Sequence, residues 1–455
     1  MDKKIRLIIA VFAVIAFLAI LFFPLGIEPL QQVVLAVLFL AMILWFSELV
    51  PLHITAFIAA FLLIVVGGFF GGKEVFTPKE VFSPFFDPVI MLLLGGFILA
   101  LGLQKHELDK LMTFVLLKKA SSKPKNFLFG LMCLTAFLSF WMSNTASTAI
   151  LLPIAMVVLA SNKLKPLDSN FGKALVLGIA FAATIGGIGT VIGSPPNAMA
   201  LSYLNQEGIA FGFTDWLKFG LPLVVLLLPI AWFVLNKLFP PEIHLIESNF
   251  SFQPLNKKQQ LVLLIFGLTV LFWLTTGFHK IETSVVALIP VILLYAFGLL
   301  ETKDINKVSW SSLILFGGGL TLGHAIQTVG LDKLFADILF QYLLGQPFLL
   351  IIVILAVFAI IFTVVASNTA AAAISIPLVI PLAKGLGVPV EIAVMIIAIG
   401  VSLDFIVPIG TPPSAIAYSS GYIKTSDMAK PGIIIALAGV ILLTFLAFFV
   451  WPLFA

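Results

Sequence analysis

From Leu7 to Ile27 the chain carries no charged or hydrogen-bonding side chain. About 20 apolar residues in a row span the hydrocarbon core of a bilayer as one helix. Comparable runs recur along all 455 residues, and only 10% of the residues are charged. In lipid each backbone N–H and C=O must be satisfied internally, so only helices and closed barrels cross. The runs are continuous rather than alternating, which excludes a barrel. The chain therefore reads as an all-α polytopic membrane protein, with the lipid bilayer as its first partner. Its first run is longer than a signal-peptide core and no A-x-A site follows, so a retained first helix over residues 1–28 is expected. The single Cys133 excludes an internal disulfide and most cysteine metal sites. The net charge of +4 fits basic cytoplasmic loops and gives no sign of a nucleic-acid partner. Any chemistry must sit within or between helices, and no nucleophile–base pair or His/Asp cluster occurs in the spans, so an enzyme is not expected.

Eleven spans are expected, at about 6–23, 30–48, 53–70, 88–104, 172–204, 214–238, 259–277, 281–300, 311–327, 389–420 and 431–453. Two apolar regions remain, 126–160 and 346–384, each too long for one span and short for two. Lys118, Lys119, Lys123 and Lys125 precede the first of these, and Lys163, Lys165 and Lys173 follow it. Both flanks should be cytoplasmic, so the segment should enter and return on one side as a re-entrant hairpin. The second has only Lys333 before and Lys384 after, and should enter from outside. With the N-terminus in the cytoplasm and the C-terminus outside an inner (plasma) membrane, only Lys73, Lys79, Lys218, Lys280, Lys333 and Lys384 break the positive-inside pattern.

Each hairpin contains the same three residues, Ser143-Asn144-Thr145 and Ser367-Asn368-Thr369. Two more pairings follow in the same order. Gly95-Gly96 with Leu108–Leu111 resembles Gly317-Gly318 with Leu331–Leu334, and "IGSPPNAMAL" (192–201) resembles "IGTPPSAIAY" (409–418). This order indicates a duplication: repeat 1 over 29–245, a cytoplasmic linker over 246–258, and repeat 2 over 259–455. One copy holds five spans and a hairpin, and an odd number of spans inverts the second copy. Inverted repeats are the build of many secondary transporters, whose binding site lies between the copies.

The motifs carry a chemistry. Ser194-Pro195-Pro196 and Thr411-Pro412-Pro413 interrupt two spans, because proline lacks an N–H and the residue before it avoids the α region. Irregular backbone at membrane depth survives only where it lines a cavity. Two hairpin tips and two half-helix N-termini offer N–H groups and partial positive charge to an anion. Unwound carbonyls and Ser, Thr and Asn oxygens suit a small cation. No Arg or Lys lies in any of the four motifs, so an anion would be held by amides, hydroxyls and bound cations. Gly95-Gly96 and Gly317–Gly319 read as helix-packing positions and His324 as a packed neutral histidine. Asp404, five residues before the second break, reads as either a functional acid or a hydrogen-bonded structural one.

These four motifs resemble the divalent anion/sodium symporter family, which includes bacterial Na⁺-dependent dicarboxylate transporters and animal dicarboxylate, citrate and sulfate carriers. The resemblance covers nearly the whole chain. It implies a homodimer in which a scaffold (spans 1–4 and 7–9) supports a mobile domain (the hairpins and spans 5, 6, 10 and 11) that works as an elevator. It carries one Na⁺ site to Ser139, Ser143, Asn144 and the Gly193 carbonyl, and a second to Thr363, Ala366, Asn368 and the Gly410 carbonyl. Substrate carboxylates would meet Asn144, Thr145, Ser194, Ser367, Asn368, Thr369 and Pro412. The implied activity is Na⁺-coupled symport of C4-dicarboxylates such as succinate, malate and fumarate. Some relatives exchange dicarboxylates without Na⁺, and others carry sulfate or citrate. Two positions depart from the family pattern: Ser414, where many members have Asn, and Asp404, where a small residue is expected.

Overall fold

The structure, a computed structural model, describes residues 3–108, 111, 123–246, 254–408 and 410–454. Lys118, Lys119, part of the 246–258 linker, Ile409 and the Asp109-Lys110 portion of one repeat match lie outside the described residues. The described residues are helical throughout, without a strand. Among the described residues ten helices are long and apolar enough to cross a membrane, or eleven if one bent pair is counted as a span.

Repeat 1 contributes α1 (Lys3–Phe22), α2 (Pro29–Ser47), α3 (Leu52–Phe69) and α4 (Pro88–Lys105). Next come the hairpin arms α5 (Pro124–Ser139) and α6 (Asn144–Ser161), the broken pair α7 (Asn170–Gly187) and α8 (Pro195–Gln206), and α9 (Phe213–Leu238). Repeat 2 contributes α10 (Lys257–Leu274), α11 (Leu288–Ala296), α12 (Trp310–Thr328) and α13 (Leu331–Leu343). Its hairpin arms are α14 (Phe348–Val365) and α15 (Asn368–Leu386), its broken pair is α16 (Val390–Gly400) and α17 (Pro412–Ser419), and α18 (Thr425–Phe445) ends the series. Proline opens α2, α4, α5, α8 and α17, at the one helical position where its missing N–H costs nothing.

Two elements differ from the sequence expectation. The span expected at 281–300 is stepped: Thr283–Val286 is followed by α11, because Pro290 cannot donate to the Val286 carbonyl. Residues 331–343, read as a loop flank, form the amphipathic helix α13, bent 74° from α12. Gly330 makes the bend in the left-handed region (φ 70°). Ala336 and Leu343 of α13 then pack on Leu382 of α15.

Close helix crossings fall at the paired glycines. A Cβ on Gly95 would lie 2.2 Å from the Ala287 carbonyl oxygen, and one on Gly318 would lie 2.2 Å from the Ala56 side chain. Only a hydrogen atom fits at either crossing, so α4 meets the 283–296 segment and α12 meets α3 at backbone distance. The remaining helices interlock. First arms α5 and α14 pack on the first halves α7 and α16 of their own broken pairs. Second arms cross over, α6 onto α17 and α15 onto α8. Lys384 of α15 also pairs with Glu207 at the end of α8. Each of these helix–helix packings has a counterpart when the two halves are exchanged, whereas the Lys384–Glu207 pair has none among the described residues.

Candidate functional site

Both hairpins turn at their Ser-Asn-Thr motif, and both tips are built alike. Ser143 caps α6, its Oγ accepting from the Ala146 N–H at 3.2 Å. Ser367 caps α15, its Oγ accepting from the Ala370 N–H at 3.3 Å. Serine is among the preferred N-caps because its short side chain reaches the orphan amides of the first turn. Each asparagine, first in its helix, turns its Oδ1 toward a hydroxyl at the end of the preceding arm. Ser139 Oγ donates to Asn144 Oδ1 at 2.5 Å, and Thr363 Oγ1 donates to Asn368 Oδ1 at 2.7 Å. Among the described residues, Nδ2 of neither asparagine donates a hydrogen bond.

Ser139 also reaches the Ala183 carbonyl oxygen of α7 at 2.8 Å. One hydroxyl proton then faces two acceptors, so three oxygens converge with a single hydrogen among them. Such a group of hard oxygens is a fit for a small cation. Gly193 belongs to the same cluster: a Cβ there would lie 2.9 Å from the Ser139 carbonyl oxygen and 2.6 Å from that of Gly187. Asn144, Ser139 and Gly193, expected together from the sequence, are brought together, with Ser143 as the cap beside them. In the second tip Thr363 and Asn368 are joined, with Ala366 in extended backbone (φ −115°, ψ 160°) between them. Gly410 packs against Asp404.

The breaks form as the prolines dictate. Ser194 (φ −148°, ψ 142°) and Thr411 (φ −135°, ψ 148°) are extended N-caps, and α8 and α17 start on Pro195 and Pro412. α8 and α15 lie side by side, since Met199 and Ala373, about one turn into each, both touch Gly319. Accessibility grades across the site. Ser139, Thr363 and Ser194 are buried, Ser143, Asn144, Ser367, Asn368 and Thr369 are half-buried, and Thr145 and Pro412 are exposed.

Several participants were not singled out from the sequence. Asn197 Nδ2 donates to the Gly187 and Thr190 carbonyls, each at 2.7 Å, and clamps the first break. Thr190 Oγ1 donates to the Phe140 carbonyl at 2.5 Å and ties that break to the first tip. Asn197 is part of the Ser-Pro-Pro-Asn motif, so its presence was visible but its targets were not. His324 is not packed: it is half exposed, 4.0 Å from Glu80. A cavity of about 850 Å³ opens elsewhere, lined by Asp87, Ser202, Phe211, Thr276 and Thr283 among others, and no tip residue lines it.

Interlocked, broken helices carrying two oxygen-rich tips within a bundle of apolar spans suit a membrane transport protein. The comparisons agree. A family model described as the sodium:sulfate symporter transmembrane region matches residues 2–455. The chain is 36% identical over 442 residues to an uncharacterised transporter of Haemophilus influenzae, covering 93% of each. It is 30% identical over 442 residues to the sodium-dependent dicarboxylate transporter SdcS of Staphylococcus saprophyticus, covering 90% of this chain and 84% of the relative. Among solved structures it resembles the YdaH transporter of Alcanivorax borkumensis, described as having an unusual topology, with a TM-score of 0.59 at 14% identity over 84% of this chain and 90% of that one. This chain belongs to the sodium:sulfate symporter family.

Proposed function

We propose that the protein is a Na⁺-coupled symporter of C4-dicarboxylates such as succinate, malate and fumarate. The observation that carries this reading is the matched hydroxyl–asparagine pair beneath each tip, 2.5 Å and 2.7 Å long. The SdcS relatives, named as sodium-dependent dicarboxylate transporters, support it. A dianion moved into a low-dielectric site without countercharge costs many kcal/mol, and the four motifs hold no basic residue. Cations must therefore supply the charge, and this couples the two ligands. Ser139, Ser143, Asn144 and the Gly193 carbonyl hold one Na⁺. Thr363, Ala366, Asn368 and the Gly410 carbonyl hold the other. Each Asn Oδ1 faces its cation while Nδ2, free to donate, faces a substrate carboxylate. Thr145, Ser194, Ser367, Thr369 and Pro412 complete the anion's surroundings, with the amides of the helix N-termini directed at it.

The same reading includes an inverted duplication, re-entrant hairpins, a cytoplasmic N-terminus and an outer C-terminus. It also includes a homodimer in which the interlocked hairpins and broken helices move as one elevator domain. The exchange-symmetric packing supports the duplication. The first arms support re-entry: α5 has 16 residues, about 24 Å at 1.5 Å per residue, and neither it nor α14 is among the helices long and apolar enough to cross, although the second arms α6 and α15 are. Purified protein in proteoliposomes should take up labelled succinate only with external Na⁺. Equal uptake in choline, with rates set by internal dicarboxylate, would establish Na⁺-independent exchange instead. Cysteines at Lys123 and Lys165, in a Cys133-free background, should both label from the cytoplasm and one at Lys384 from outside. Opposite labelling of the first two would refute re-entry.

A further inference from the structure

The two helix breaks differ at two corresponding positions, and the differences are chemically linked. Gly187 stands six residues before Gly193, as Asp404 stands six before Gly410. Asn197 stands four residues after Gly193, as Ser414 stands four after Gly410. In the first break the Asn197 carboxamide donates to the Gly187 and Thr190 carbonyls. In the second, Ser414 Oγ accepts from Thr411 Oγ1 at 3.0 Å, and among the described residues it sends no donor across the loop. The space above the glycine is filled differently as well. At Gly193 a Cβ would meet the Gly187 carbonyl oxygen at 2.6 Å, whereas at Gly410 it would meet the Asp404 Oδ2 at 1.9 Å. A carboxylate oxygen has taken the place of a backbone oxygen.

Asp404 is 1% exposed. Among the described residues no side chain donates to either of its oxygens, and the one donor beside them is the Ile406 backbone amide. No Lys, Arg or His occurs between Lys384 and Lys424. A buried carboxylate without a side-chain partner costs several kcal/mol to keep ionised, so it either takes up a proton or is joined by a cation. We infer that Asp404 is a ligand and fixed countercharge for the cation at the second tip, beside Thr363, Asn368 and the Gly410 carbonyl. This deepens the symport reading and rests on it. The first site has only neutral oxygens and is completed by the substrate carboxylate. The second is neutralised by its own acid, so its Na⁺ binds before the anion and without it.

The test uses purified full-length protein in detergent, with thermal unfolding followed as NaCl replaces choline chloride and no dicarboxylate present. Wild type should be stabilised by Na⁺ alone. Asp404→Asn should raise the Na⁺ midpoint about tenfold or more, the effect of losing one charged contact, and succinate should recover part of the response. The double variant Asp404→Gly/Ser414→Asn copies the first break and guards against a folding failure of the single variant. It too should need succinate for a full Na⁺ response. A wild type indifferent to Na⁺ would overturn this inference and the symport reading together. A wild type that responds, with an unchanged midpoint in either folded variant, would overturn the role of Asp404 alone.

Discussion

The two hairpin tips share their cap bond and their hydroxyl–asparagine bond, and the two helix breaks share no such pair. At each tip a serine caps the second arm and a hydroxyl four residues earlier reaches the asparagine Oδ1. At the breaks, α7 runs on to Gly187, whereas α16 stops at Gly400, the counterpart of Ala183. Asp404 therefore lies in unwound chain where its counterpart Gly187 ends a helix. A tip is a local structure, set by four or five consecutive residues. A break is held open by what reaches into it, so one clamp residue can change its length and charge. The comparison teaches that the two halves share a way of presenting oxygens and differ in how those oxygens are neutralised.

The largest expected effect probes the shared part. Asn144→Ala and Asn368→Ala should each weaken succinate affinity about tenfold or more, from one or two lost buried contacts at ~1–3 kcal/mol each. Na⁺ dependence should weaken in parallel. Matched losses would sharpen the equivalence of the tips, and monodisperse variants with unchanged uptake and unchanged Na⁺ dependence would break the shared-site reading.

Next come the glycines of the breaks. An added methyl at Gly193 meets backbone oxygens of Gly187 and Ser139, which cannot move without displacing the tip. At Gly410 the three atoms it meets first all belong to the Asp404 side chain. Gly193→Ala should cost about 1–3 kcal/mol of stability, as overpacking does, and Gly410→Ala less. Asp404→Gly should relieve the Gly410→Ala strain in a double-mutant cycle of unfolding temperatures. Equal costs without relief would contradict the difference between the breaks.

Asn197→Ser, which gives the first break the second's residue, removes donors to two buried carbonyls and should destabilise by about 1–3 kcal/mol. The reverse change, Ser414→Asn, removes one bond, from Thr411 Oγ1, rather than two, and should cost less than Asn197→Ser in the same assay. The smallest effects belong to the caps: Ser143→Ala and Ser367→Ala should each cost about 0.5–2 kcal/mol, and by similar amounts. Unequal cap losses would show the tips to be less alike than their hydrogen bonds.

Much of the architecture is written in covalent terms that act locally, and for that reason it could be read from the chain. Apolar runs of bilayer length demand helices because lipid offers no hydrogen bonds. Pro195 and Pro412 start new helices because they lack an N–H. Ser143 and Ser367 cap because a hydroxyl beside an extended backbone reaches the next turn. Other features depend on atoms distant in the chain, and only the tertiary structure decided them. The Ala183 carbonyl joins Ser139 from 44 residues away. Asn197 finds Gly187 and Thr190 only after the break has folded back on itself. α13 is a helix because Leu382 offers its apolar face a partner. For Asp404 the sequence left two readings open, a hydrogen-bonded structural acid or a functional one. They differ in what reaches the carboxylate, and partnership of that kind is a property of the assembled bundle that no local pattern of residues encodes; among the described residues no side chain donates to it.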